Sequence, residues 1–198
     1  MMNAKERTNT HRKTALIVGV LMLVAYSLIG SGNPEAKILG MLLEAISGLA
    51  VIAIAILMFQ VFKPYNKKVS LWYIVLKSLE GGLLVVTGIL FLSHNTLLLE
   101  IYDGIHAGHG YLFAIAALIF NYLLFQTKLI PRWLSVFGVI ATTMLILVNL
   151  LEVTGIVSEL MIFKFPIFLN EIILAIWLIA KGFNPSALEP VYVKTAMK

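Results

Sequence analysis

Six long apolar stretches follow one another along the chain, and short polar connections separate them. The hydrocarbon core of a bilayer is about 30 Å thick, so about 20 apolar residues cross it as a helix. Backbone polar groups in lipid must be paired within the protein, which leaves helices or a closed barrel. The stretches are continuously apolar rather than alternating. The sequence therefore predicts an all-α polytopic membrane protein with six transmembrane helices in one bundle.

Composition excludes several other classes of protein. Only 13% of the 198 residues are charged, whereas soluble domains carry about 25%. The chain contains no cysteine, which excludes disulfides, thiolate metal sites and cysteine nucleophiles. The net charge of +5 is spread over the connections, without a basic patch interleaved with aromatic residues, so nucleic acid is not a predicted partner.

The apolar stretches also predict the helix boundaries. Helices one to six are expected at about 14–30, 38–62, 71–93, 106–126, 134–151 and 160–180. The stretch 94–105 mixes leucines with acidic residues, which favours a segment along the membrane interface over one that crosses. Pro166 leaves the start of helix six open, because proline either begins a helix or kinks one.

The distribution of lysine and arginine predicts the orientation. Most of these residues precede helix one, lie between helices two and three or four and five, or follow helix six. By the positive-inside rule, both termini are expected in the cytoplasm. The predicted organisation is a basic cytoplasmic N-terminus at 1–13, a transmembrane domain at 14–181 and a cytoplasmic tail at 182–198. The lipid bilayer is the predicted partner, and the oligomeric state stays open.

A few polar residues lie inside or at the edge of the apolar stretches, and they are candidates for a ligand-binding site. Ionisable groups in hydrocarbon are costly, so they mark functional sites by default. The expected ligand is a small amphipathic molecule or a cation. The candidate residues are Glu44, Glu80, His106, His109, Asn149 and Glu171.

His106 and His109 are the candidates for a metal site. Residues three apart share a helix face, and two imidazoles on one face can contribute to a metal site if further ligands come from other helices. The alternative interpretation is that both mark the water boundary at the start of helix four. The sequence requires no cofactor.

The carboxylates have alternative interpretations as well. Glu44 lies on a stripe of small residues with Ser47 and Gly48, and such stripes let helices approach closely. It serves either a ligand site or helix packing. Glu80 lies three residues after Lys77, so the two can form an ion pair, although Lys77 can also extend to the cytoplasmic surface.

Two segments resemble a known family. They are 129–138 (LIPRWLSVFG) and 170–185 (NEIILAIWLIAKGFNP). The chain resembles, over its whole length, the bacterial multi-pass membrane family catalogued as domain of unknown function 4386. The resemblance implies a bacterial inner-membrane protein of about six helices, and it implies no activity.

Three functional hypotheses follow from these residues. The preferred one is a binding or transport-type bundle with an intramembrane polar cavity for a small molecule or cation. The second is an intramembrane enzyme that uses a metal or carboxylates on a lipid or isoprenoid. The third is an accessory membrane subunit whose polar residues pack helices or recruit a partner.

Overall fold

The computed structural model describes residues 4–28, 37–91, 96–156 and 161–188. No β-strand occurs in this part of the chain, so the predicted all-α class is confirmed. The described residues form six long helices: α1 (Ala4–Leu28), α2 (Lys37–Phe62), α3 (Lys67–Phe91), α4 (Thr96–Thr127), α5 (Arg132–Val153) and α6 (Met161–Ala180).

Five of these helices, α2 to α6, are long and apolar enough to cross a membrane by length and composition, considering only the described residues. Their apolar segments are Ile38–Phe62, Lys67–Leu90, Gly108–Thr127, Arg132–Val153 and Ile162–Ala180. The helix α1 differs because nine of its first ten residues are polar and its apolar part begins at Thr14. The chain thus has the composition of an integral membrane protein.

The helices form a ring. Each packs against its neighbours in sequence, and α1 also packs against α6, which closes the ring. We call the end that holds the start of α1, the α2–α3 and α4–α5 turns and the end of α6 the terminal end. The opposite end, which holds the end of α5 and the start of α6, is the distal end.

Two predicted boundaries are wrong. The helix α1 begins at Ala4 rather than at Thr14, because its polar start is also compatible with a helix. The helix α4 begins at Thr96 and is 32 residues long, so the expected interfacial segment at 96–105 is the first part of α4. Leucine and glutamate favour helix whatever their polarity. The predicted helix ends at 30 and 93 and the start at 160 lie outside the described residues.

Pro166 lies inside α6, which extends from Met161. This answers the question that the sequence leaves open: the helix does not start at the proline. Pro166 is the sixth described residue of α6, so its missing amide hydrogen leaves the carbonyl oxygen of Ile162 without its usual partner within the helix. Glu171 is therefore ten residues into α6, about 15 Å from its first described residue at 1.5 Å per residue.

The chain after α6 returns to the bundle. Phe183 and Leu188 are buried in the main core at the terminal end. The hydroxyl of Tyr65 donates a hydrogen bond to the carbonyl oxygen of Ala187 at 2.8 Å. The first residues of the predicted cytoplasmic tail, up to 188, thus pack against the terminal end, and 189–198 lie outside the described residues.

Arg12 joins the first helix to the last. Its guanidinium donates hydrogen bonds to the carbonyl oxygens of Leu178, Ile179 and Ala180 at 3.1, 2.8 and 3.1 Å. The last carbonyls of a helix have no partner within it, and a cation there also interacts favourably with the helix dipole. Arg12 thus caps α6 from α1.

Gly48 and Gly81 let α2 and α3 approach closely, as the stripe of small residues around Glu44 predicts. A Cβ atom at Gly81 would lie 2.6 Å from the carbonyl oxygen of Gly48, and a Cβ at Gly48 would collide with the carbonyl oxygen of Gly81. Ser47 on the same stripe donates a hydrogen bond to the carbonyl oxygen of Ala25 at 3.2 Å. Small residues thus set the spacing of three helices.

The adjacent glycines of α3 provide a matched test of this crossing. We expect Gly81→Ala to destabilise the protein by about 1–3 kcal/mol, because the added methyl group meets backbone that cannot yield. A Cβ at Gly82 meets no described atom within 4 Å, so Gly82→Ala should be neutral or gain up to about 1 kcal/mol of helix propensity. Thermal unfolding in detergent measures both. Equal effects of the two changes would contradict the packing role of Gly81.

Candidate functional site

A cavity of about 180 Å³ lies inside the bundle, and we call it the inner cavity. Five helices line it, and α5 contributes none of its walls. It brings together Lys77, Glu80, His109 and Glu171 from three helices, on a largely apolar wall. The lining residues are Met22, Ala25, Tyr26, Val51, Ile54, Tyr73, Lys77, Glu80, His109, Phe113, Ala117, Phe120 and Glu171.

Lys77 and Glu80 form an ion pair inside this cavity. The Lys77 ammonium lies 2.9 Å from Glu80 Oε1, and the two side chains are 11% and 3% exposed. The same ammonium lies 4.9 Å from the ring centre of Phe113, a cation–π contact that gains strength when desolvated. Lys77 therefore points into the bundle and does not extend to the surface. Glu80 Oε2 is buried and has no hydrogen-bond partner among the described residues.

Glu171 approaches the same cavity from α6 and is only 5% exposed. The hydroxyl of Tyr26 on α1 is its side-chain hydrogen-bond partner, and Lys77 is near enough to interact with it electrostatically. Glu171 and Glu80 thus face one ammonium group from two helices. Tyr26 is not among the residues that the sequence singles out. A tyrosine within an apolar stretch is typical of a membrane interface, so the sequence carries no signal for its inward position.

Three aromatic rings close the inner cavity toward the terminal end. Tyr73 stacks on Phe120 with ring centres 5.4 Å apart, and Phe62 meets both edge-on at 5.9 and 5.8 Å. All three are buried in the main core. We call Phe62, Tyr73 and Phe120 the aromatic plug. The plug separates the charged groups from the terminal end of the bundle.

A second space, which we call the distal cleft, lies on the other side of the inner cavity. It has a volume of about 460 Å³ and lies between α1, α4, α5 and α6. Tyr26 and Phe113 line both spaces. Asn149 is found here, near an ion pair between Lys164 and Glu152 of 3.0 Å. The lining residues are Tyr26, Gly110, Tyr111, Phe113, Leu145, Asn149, Glu152, Lys164, Ile167 and Phe168.

Glu44 lies apart from both spaces. It is buried between helices, and it accepts a hydrogen bond of 2.9 Å from the hydroxyl of Tyr102. Its Oε2 atom has no hydrogen-bond partner among the described residues. The structure thus brings Glu80, His109 and Glu171 together, and it places Glu44 and Asn149 elsewhere.

The two histidines differ in what the structure describes. His109 lines the inner cavity, whereas the side chain of His106 lies outside the described part of the chain. Within the described residues, no three histidine, aspartate or glutamate side chains are grouped so that they could hold a metal ion. A metal site that uses His106 and His109 stays a prediction.

Two buried asparagines that the sequence does not single out join α4, α5 and α6. The Nδ2 atom of Asn170 donates to the carbonyl oxygen of Leu134 at 3.0 Å, and that of Asn121 donates to the carbonyl oxygen of Ala117 at 3.0 Å. The Oδ1 atoms of both lie against Gly138, where a Cβ would collide with them. These contacts fill the space between the helices, so this cluster is interpreted as packing.

The buried ion pair predicts a large response to losing one partner. We expect Lys77→Met to destabilise the protein by about 3–5 kcal/mol, because Glu80 is left as an uncompensated buried charge. The double variant with Glu80→Gln should recover much of that loss, since the unpaired charge is gone. Thermal unfolding in detergent of the single and double variants measures this coupling.

The ion pair at the distal cleft is the matched control. Lys164 and Glu152 are 29% and 19% exposed, so Lys164→Met should cost about 0–1 kcal/mol. If Lys77→Met costs no more than Lys164→Met, the pair in the inner cavity does not stabilise the bundle.

The family comparison covers almost all of this architecture. Residues 24–182 match a family model described as Domain of unknown function (DUF4386). The resemblance predicted from the two sequence segments is thereby confirmed. No curated protein and no solved structure matches the chain. The matched region reaches from the last part of α1 to the residues after α6, and its description names no activity.

Proposed function

We propose that this chain, which belongs to the DUF4386 family, binds a small organic cation in the inner cavity, as a transport-type membrane protein does. In this proposal α1 is the sixth membrane span, because its apolar part from Thr14 packs in the ring with five helices that have the composition of spans. The basic connections support an orientation with both termini in the cytoplasm, and the proposed location of the bundle is the inner membrane of a bacterium.

The balance of charge inside the inner cavity carries the proposal. Two carboxylates, Glu80 and Glu171, face a single ammonium, that of Lys77. Lys77 is held by Glu80 and by the ring of Phe113. With both carboxylates ionised and His109 neutral, the cavity has one excess negative charge. In a site of low dielectric constant such a charge attracts a cation strongly.

The walls suit an organic ammonium better than a bare metal ion. The aromatic rings of Tyr73 and Phe120 line the cavity with Phe113, and aromatic faces attract ammonium groups. Only a few polar atoms are available, whereas a hard cation such as Ca²⁺ takes six to eight oxygen ligands. A carboxylate with a neighbouring phenol, as in Glu171 and Tyr26, can orient one ammonium group.

The volume limits the size of the ligand. A cavity of about 150 Å³ accommodates benzene, and the inner cavity measures about 180 Å³. Drug-sized ligands occupy pockets of about 300–1,000 Å³. The cavity therefore takes a molecule with the size of a benzylamine, and a whole membrane lipid does not fit.

Benzylammonium is a probe that matches both the charge and the size. We expect purified protein in detergent to bind benzylammonium in calorimetry and to bind the neutral benzyl alcohol more weakly. Glu171→Gln retains the size of the side chain and removes its charge. A hydrogen bond between charged groups contributes about 1.5–3 kcal/mol, so this change should weaken binding by roughly 10- to 100-fold.

Glu100→Gln is the matched control, because Glu100 is exposed on α4. The exposure of Glu100 predicts unchanged binding. Equal affinity of the wild type and Glu171→Gln for benzylammonium, measured on folded protein, would contradict the proposal. Absence of benzylammonium binding in the wild type would contradict it as well.

The proposed orientation has its own test, for which a chain without cysteine is well suited. In intact bacterial cells, Lys67→Cys and Arg132→Cys should resist a membrane-impermeant maleimide added outside and react after the cells are permeabilised. Ile156→Cys, at the distal end, should react in intact cells. The reverse pattern would show that the termini face outward.

A further inference from the structure

We infer that the distal cleft is the access route to the inner cavity, and that Tyr26 and Phe113 form the partition that controls passage. This inference rests on the proposed function, because it assigns a path to the ligand of that site.

The two spaces share walls. Tyr26 of α1 and Phe113 of α4 line both the inner cavity and the distal cleft. Both are half-buried. One layer of two aromatic side chains therefore stands between the charged groups and the larger cleft, and a change in their rotamers can join the two spaces.

The opposite end of the cavity is closed much more firmly. The aromatic plug consists of Phe62, Tyr73 and Phe120, which are 0%, 1% and 5% exposed. Behind it lie further buried residues of the main core, including Leu123 and Leu124. Passage there requires several packed layers to separate, whereas passage at the partition requires two half-buried side chains to move.

The backbone beside Phe113 adds an independent observation. Gly104, Gly108 and Gly110 lie in α4 on the distal side of Phe113, and a Cβ at any of them would meet no described atom within 4 Å. Packing against the described residues therefore does not account for these glycines, in contrast to Gly81. Each glycine costs about 1 kcal/mol of helix stability relative to alanine. The segment of α4 beside the partition thus contains three glycines that lower its helix stability.

The chemistry of the distal cleft suits a cation on its way inward. Asn149 presents an oxygen atom on one wall and Tyr111 provides an aromatic face, while the carboxylate of Glu152 is paired with the Lys164 ammonium at 3.0 Å. These groups can replace part of the hydration of an ammonium group before it passes the partition. The path then ends at Glu171, which the hydroxyl of Tyr26 contacts from the partition itself.

Cysteine reactivity measures this path without requiring a tightly bound ligand. Ala25 lines the inner cavity and is 4% exposed, so Ala25→Cys serves as a reporter in a chain with no native cysteine. The reagent is the small cation methanethiosulfonate ethylammonium, applied to protein in lipid nanodiscs. We expect Phe113→Ala, added to the A25C reporter, to increase its modification rate at least tenfold.

Phe120→Ala is the matched control. The change removes the same kind of side chain from the same helix, seven residues away. Phe120 also lines the inner cavity, but it belongs to the aromatic plug. The change should leave the modification rate of the reporter within about twofold. Phe113→Leu and Phe120→Leu repeat the comparison with smaller losses of packing, and Tyr26→Ala tests the partition from α1. Thermal unfolding of each variant identifies any that fail to fold.

The outcomes separate the two proposals. If the modification rate of the reporter rises in the Phe113 and Tyr26 variants and in no others, the access route is supported, even if benzylammonium does not bind. If the rate rises in the Phe120 variants alone, or is equal in all variants, the access route is overturned. This holds even if Glu171→Gln abolishes benzylammonium binding. An uncharged reagent, methyl methanethiosulfonate, shows whether the partition selects by size or by charge.

Discussion

The free energy of holding charge inside hydrocarbon is the constraint on which the rest of this structure depends. An ionised group that leaves water costs several kcal/mol even after the protein relaxes. The bundle meets this cost by placing Lys77 against Glu80 and under the ring of Phe113, and by placing Tyr26 beside Glu171. These groups belong to α1, α3, α4 and α6, so their mutual satisfaction requires those helices to be assembled together.

Close packing and open space occur side by side in the helix α3. Gly81 touches the backbone of α2, whereas the preceding residue, Glu80, faces the inner cavity. Successive residues in a helix point about 100° apart, so the crossing at Gly81 fixes the direction of Glu80. A rigid helix contact of this kind is the support that a binding carboxylate needs in order to keep its geometry.

Hydropathy and length predict most of the helices, because each membrane span needs a long continuous apolar segment regardless of which helices pack beside it. The same measures miss the first part of α4, since acidic residues in 96–105 lower hydropathy without disfavouring helix. They also leave the rotation of each helix open. Glu44 and Glu80 are both carboxylates in apolar stretches beside small residues, yet of the two only Glu80 lines the inner cavity.

The candidate site is predictable in part for the same reason. Glu80, His109 and Glu171 stand out because polar groups are rare in apolar stretches, and all three line the inner cavity. Tyr26, Tyr73 and Phe113 do not stand out, because aromatic residues are common in membrane helices. Their roles depend on which side of each helix faces the inside of the helix bundle. That orientation depends on the packing of glycines such as Gly48 and Gly81.

The contact between Arg12 and the end of α6 has a consequence for biosynthesis. The ring closes where α1 meets α6, so α1 leaves the ribosome well before one of the two helices that it packs against. At about 5–20 residues per second, α1 waits on the order of ten seconds before α6 is complete. During that interval the guanidinium of Arg12 lacks the three carbonyl oxygens that it later binds. A nascent chain therefore carries an unpaired contact surface on α1 until α6 arrives, and that surface distinguishes chains without α6 from chains with a closed ring.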